Sequence, residues 1–154
     1  MGYNIIDIID KAINIAKMRK ELYTKISNES HQPPAVKIIS KVLADNVDKT
    51  FIYYEKLKKE VNDKEIEIID FAIYDKISFL IGQFNLRLHI IDAATPTEFL
   101  RFSLDLEKEI LALFLDIQGR LIKTAADSNS ISYMILSDMI ITKTNFIHDL
   151  EALH

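Results

Sequence analysis

The sequence predicts an all-α protein, a bundle of four long helices arranged as two helical hairpins. Three observations carry this. Glycine and proline number three each in 154 residues, too few for an all-β architecture built on tight turns. Four segments repeat their apolar residues with helical period and have room for helices near 25 residues. Two polar interruptions, NESHQPP and DSNS, fall where a chain of helices has to turn.

The first helix is expected from about Asn4 to Ile26, with Ile5, Ile9, Ala12, Ala16, Tyr23 and Ile26 on one face. NESHQPP ends it, because paired prolines begin helices and do not continue them. The second helix is expected from about Pro34 to Val61, presenting Ile39, Val42, Leu43, Tyr53, Tyr54 and Leu57. Residues 62–94 form an insertion between the hairpins. EIEIIDFAIYDKISFLIG has a helical look and FNLRLHIID alternates like a strand, so 65–82 is read as a shorter helix and 83–94 as an extended crossover. TPTE marks the third long helix, with Thr95 as N-cap, Pro96 in the first turn and Glu98 completing a capping box. It runs to about Lys123. DSNS (127–130) precedes a last helix that ends near Leu153, whose arc is Ile135, Met139, Phe146, Leu150 and Leu153. The whole chain, 1–154, reads as one helical bundle domain.

Composition narrows the function. Almost half the residues are hydrophobic, which favours a packed core over disorder. Absence of cysteine removes disulfides, thiolate metal sites and cysteine nucleophiles. A net charge of −4 argues against nucleic acid as a partner. The run KMRKELYTK is interleaved with core positions and is read as a solvated helix face. The opening MGYNIIDIID lacks the basic start of a signal peptide, Ile6 stands where myristoylation wants Ser or Thr, and the longest apolar run, ILALFL, is far too short for a membrane span. A cytoplasmic protein with no membrane partner is expected.

The residues that attract attention are charged ones on apolar arcs. At about 100° per residue, Leu100, Leu104, Leu111, Phe114 and Leu121 surround Glu107, while Asp105, Lys108, Asp116 and Arg120 lie opposite. Lys143 falls near the middle of the last helix's arc, and Arg19 lies inside that of the first. On the second helix, Thr50 and Asn46 are placed near the centre and Val47 towards an edge. A buried ion without a partner opposes folding by several kcal/mol, so a direct Glu107–Lys143 ion pair is expected, with Arg19 as the alternative partner. A lysine whose stem is buried and whose ammonium reaches water is the plainer reading of Lys143. His148 lies away from its helix's arc, and neither it nor His31, His89 or His154 forms a metal-binding pair at helical spacing. Serine hydrolase, zincin, P-loop and dinucleotide signatures are absent.

Four phrases in order, AINIAKMRKELY (12–23), LADNVDKTFIYYEKL (43–57), TPTEFLRFSLDLEKEIL (95–111) and IITKTNFIHDLEAL (140–153), resemble those of rubrerythrin-like members of the ferritin-like superfamily. The resemblance covers nearly the whole chain. It implies a ferritin-like four-helix bundle with a di-iron site, one Glu from each of the first and third helices and an ExxH pair from each of the others. Carried onto this chain, the first-helix Glu falls on Ala16 and the second-helix pair on Val47 and Thr50. The third-helix Glu falls on Glu107, and the last pair on Lys143 and Phe146. Only Glu107 keeps a ligand's chemistry. The cysteine module that feeds electrons to rubrerythrins is missing too. The expectation is therefore a bundle with a degenerate di-iron site, no cofactor and no catalytic residue, acting as a structural or interaction protein. The alternative is a rubrerythrin-like di-iron oxidoreductase, reducing peroxide or oxidising iron at a non-standard iron or manganese site. A carrier of an apolar ligand in the space left by the metals is a third reading. Bundles of this family pair through helix faces, and the apolar stretch 66–91 supplies surplus surface, so a homodimer is expected.

Overall fold

The computed structural model describes residues 2–62, 66–87, 95–122 and 130–153. Among them the chain forms five helices and no strand. Helix α1 (Ile5–Asn28) begins at Asn4, whose side chain accepts from Ile6 N while Asp7 accepts from Asn4 N, each at 2.9 Å. This reciprocal cap satisfies donors that the first helical turn leaves open. Helix α2 (Pro34–Asn62) starts on the second proline of the QPP turn. Helix α4 (Pro96–Leu121) starts after Thr95, whose Oγ1 accepts from Glu98 N at 3.2 Å. Helix α5 (Ile131–Glu151) starts after Ser130, whose Oγ accepts from Tyr133 N at 3.1 Å.

Helices α1 and α2 form one antiparallel hairpin. Asp10 of α1 meets Lys58 of α2 at 2.8 Å near one end, and Lys20 meets Asp48 nearer the other. Helices α4 and α5 form a second, in which Gln118 Nε2 donates to Tyr133 O and to Ser137 Oγ at 3.2 and 2.7 Å. The hairpins meet through an apolar core that includes Ile9 and Ile15 of α1, Val47 and Leu57 of α2, Ile110 and Phe114 of α4, and Leu136 and Met139 of α5. Polar contacts cross the same seam. Arg19 of α1 reaches Glu107 of α4, and the Tyr53 hydroxyl of α2 donates to Asp138 of α5.

The insertion departs from the sequence reading. Its helix, α3 (Phe71–Arg87), begins six residues later than expected and runs five residues further. Residues 66–70 lie outside the helix, where Ile69 N donates to Tyr3 O at 2.7 Å in an isolated bridge, and Asp70 Oδ1 then accepts from Ala72 N at 2.8 Å at the helix start. At the other end Ile77, Ile81 and Phe84 are buried at helical spacing, which outweighs the alternation seen in FNLRLHIID. Residues 88–94, the rest of the expected crossover, and His89 with them lie outside the described residues. The lining of α3 is completed by Tyr3, whose ring stacks on Tyr74 at 3.7 Å.

Two of the expected faces are also rotated. On α2 the buried stripe is Val36, Ser40, Leu43, Ala44, Val47, Tyr54, Leu57 and Val61, so Val47 is central and Asn46 and Thr50 are half-buried. Val42 points outward, 61% exposed. On α5, Leu136 and Ile147 are buried while Ile135 and Phe146 are half-buried, a shift of about one residue around the helix. Leu153 lies past the last helical turn and is 69% exposed.

Candidate functional site

Three charged side chains meet in the core between the hairpins. Arg19, Glu107 and Lys143 are 2%, 1% and 6% exposed. Each is carried there by the same local cause, a position on the apolar face of a long helix, with Ala16 and Tyr23 flanking Arg19, Leu104 and Ile110 flanking Glu107, and Met139 and Ile147 flanking Lys143. Lys143 Nζ donates to Glu107 Oε2 at 2.6 Å. Arg19 Nη1 stands 3.1 Å from Oε1 and 3.2 Å from Oε2. The two cations thus share one carboxylate, where the sequence offers them as alternatives. The Lys143 bond is of the short, strong charge-assisted kind, and the Arg19 contacts are longer.

The electrostatics follow from burial opposed by pairing. Burial works to raise the Glu107 carboxyl, but Arg19 and Lys143 outweigh it and hold the group below the usual carboxylate range. Lys143 is drawn down to about 8 by burial first and by Arg19 second, against the pull of Glu107. Arg19 is opposed by burial yet raised by Glu107 and by the neighbouring phenols of Tyr23 and Tyr54. Those phenols are pushed up, chiefly by burial. Arg19 Nε is buried there with no hydrogen-bond partner among the described residues, and the Tyr23 hydroxyl and Ser103 Oγ are buried beside it. Tyr23 and Ser103 are members of the site that the sequence reading does not single out. Their signal is their place on the same arcs, Ser103 four residues before Glu107 and Tyr23 four after Arg19.

A cavity of about 180 Å³ adjoins this cluster between α2 and α5. Lys143, Tyr54 and Met139 line its inner part, and the exposed Lys49 and Thr142 its mouth.

The residues on which the resemblance would place di-iron ligands do not fit metals. Ala16 and Val47 are buried and have no donor atom. Thr50 Oγ1 is turned to its own helix, donating to Asn46 O at 3.4 Å, and the Phe146 ring lies 5.6 Å from the Lys143 ammonium. Arg19 and Lys143, already bonded to Glu107, repel a metal cation from the same carboxylate. His148 and His31 are exposed, the latter 3.3 Å from Glu29, and His154 lies outside the described residues. Among the described residues no three His, Cys, Asp or Glu side chains gather where a metal ion could be held. Among them, too, no helix is long and apolar enough to cross a membrane.

Comparison with protein-family models, with curated proteins and with solved structures finds no match to this chain.

Proposed function

We propose that the chain is a ferritin-like bundle, with α1, α2, α4 and α5 as its four long helices and α3 as an inserted crossover, whose di-iron centre has been replaced by an ionic clasp. In this reading it is a non-catalytic structural or interaction protein. The observation that supports it is the Arg19–Glu107–Lys143 cluster, in which cations take the place that metals require. The clasp ties α1, α4 and α5 together with directional bonds, and its role is to fix how the two hairpins dock. Buried ionic groups are best attested where they specify one packing arrangement over others.

Metal analysis separates this reading from the rubrerythrin-like oxidoreductase that the resemblance also allows. Protein purified from cells supplemented with iron and manganese is expected to carry far less than one metal ion per chain. Near-stoichiometric iron or manganese that is lost on Glu107→Ala substitution overturns the proposal.

A further inference from the structure

The charges at the centre of the protein do not cancel. Arg19 and Lys143 both face Glu107, and among the described residues no other carboxylate comes within ion-pair distance of either cation. Of the two cations, Lys143 is the one that the neighbouring cavity reaches. Arg19 Nη1 is shared between both carboxylate oxygens, whereas Lys143 holds one oxygen through one of its three N–H donors. Glu107 Oε2 is its one hydrogen-bond acceptor among the described residues. A buried ammonium with donors to spare is costly unless something polar or anionic meets it.

The cavity between α2 and α5 begins at this ammonium. Its volume of about 180 Å³ is far above the roughly 10–15 Å³ that a water molecule needs and below the roughly 300 Å³ at which sites for drug-sized ligands begin. A ligand here has to be small. Its lining sets the lysine beside the Met139 side chain and the rings of Tyr54 and Phe146, which offer apolar contact along one wall, while Asn46 and Thr50 give the other a polar character. Thr142 stands exposed at the opening, so the cavity communicates with solvent past a side chain that is not part of the core. The buried Lys143 ammonium beside the apolar wall of Met139 and Phe146, with Lys49 out at the mouth, matches one anionic group at the end of a short apolar body. An inorganic oxyanion would leave the aromatic and thioether surface without a partner.

We propose that the cavity between α2 and α5 binds a small monocarboxylate, its carboxylate on the Lys143 ammonium and its alkyl body against Met139 and Phe146. The ligand's single negative charge brings the cluster of Arg19, Glu107 and Lys143 to neutrality. Lys143, drawn down to about 8, still carries its proton at neutral pH and is able to receive the anion. This assigns the protein a ligand, which the clasp reading does not, and it stands whether or not the bundle descends from a di-iron protein.

The test is a titration of the full chain, at neutral pH and fixed ionic strength, with acetate, butyrate, hexanoate and inorganic phosphate, followed by amide chemical shifts. Butyrate is expected to give saturable shifts confined to α2 and α5 and to bind about tenfold or more tightly than phosphate. Two variants attack the site differently. Lys143→Met removes the surplus charge and leaves the recess, while Thr142→Trp closes the mouth from an exposed position and leaves the charges. Each is expected to weaken butyrate binding about tenfold or more. Thr142→Trp alone carries the comparison if Lys143→Met does not fold. Absence of saturable shifts with every carboxylate overturns the proposal. So does butyrate binding unchanged in either folded variant, or phosphate binding more tightly than butyrate.

Discussion

Removing Glu107 and removing Lys143 leave different charges behind, although the two are bonded to each other. Glu107→Gln abandons Arg19 and Lys143 as two buried cations with no carboxylate between them. Lys143→Met abandons a balanced Arg19–Glu107 pair and fills the space with an apolar chain of similar length. The first is expected to lower stability by about 3–5 kcal/mol and the second by about 1 kcal/mol or less, since loss of a buried partner is severe only when the other charge is left uncompensated. Urea unfolding midpoints of the two variants check this, and equal losses would sink the charge-count account. These three positions are legible in the sequence because each interrupts an apolar stripe of helical period. What the stripe does not encode is reach across helices. One helix's periodicity cannot tell whether a lysine extends to water or to a carboxylate on its neighbour, nor whether two cations exclude or share a partner. Tyr23 and Ser103 escape for the same reason, because a hydroxyl on an arc is unremarkable until its surroundings are known.

At the scale of elements, the start of α4 is readable to the residue and that of α1 to within one, since Thr95 and Asn4 cap through contacts with residues two or three places along. The start of α3 is not. Ile66, Glu67, Ile68 and Ile69 could continue a helix, and distant partners hold them outside it instead. Ile69 bonds the backbone of Tyr3, and Glu67 crosses to the start of α5, accepting from Ile131 N at 2.7 Å, Ser132 N at 3.3 Å and Ser132 Oγ at 3.1 Å. A propensity for helix loses here to tertiary pairing. Glu67 thus serves as a second cap on α5 beside Ser130. Partial burial works to raise its carboxyl, but bonds from backbone and from Ser132 outweigh that and lower it, so the anion is the bound form. Glu67→Ala is expected to cost about 1 kcal/mol, the usual worth of a helix cap, because Ser130 still serves Tyr133 N. The loss is read from thermal or denaturant midpoints, and faster hydrogen exchange at Ile131 and Ser132 should accompany it. An unchanged midpoint with unchanged exchange would remove Glu67 from the cap.

The molecule as a whole takes its pH response from the same core. Its all-helical class and its two hairpins follow from the sequence because turns and periodicity are local. Which faces of the hairpins meet is a property of all the helices together, and α2 and α5 each sit slightly rotated from their own patterns so that Val47, Leu136 and Ile147 fill the seam. That seam encloses groups with displaced proton affinities, which couple folding to pH. Lys143 is held near 8 in the folded chain, chiefly by burial, and returns to its ordinary 10.5 on unfolding. Between those values the unfolded chain binds a proton that the folded chain does not, so stability climbs with pH there, by at most about 1.4 kcal/mol per pH unit for a single proton. Tyr23 and Tyr54 act in the opposite sense. Burial raises them, so above the ordinary phenol value of 10 the unfolded chain sheds protons that the folded chain keeps, and stability falls. On the acid side Glu107, lowered by Arg19 and Lys143, contributes stability above its unfolded value that disappears as pH drops through its folded one. The urea midpoint is therefore expected to rise from about pH 8, peak near pH 10 and decline beyond. In Lys143→Met the rise should vanish while the decline above 10 stays, because the tyrosines are untouched. A parent midpoint that is flat or falling between pH 8 and 10 would show that Lys143 is not desolvated in the folded core.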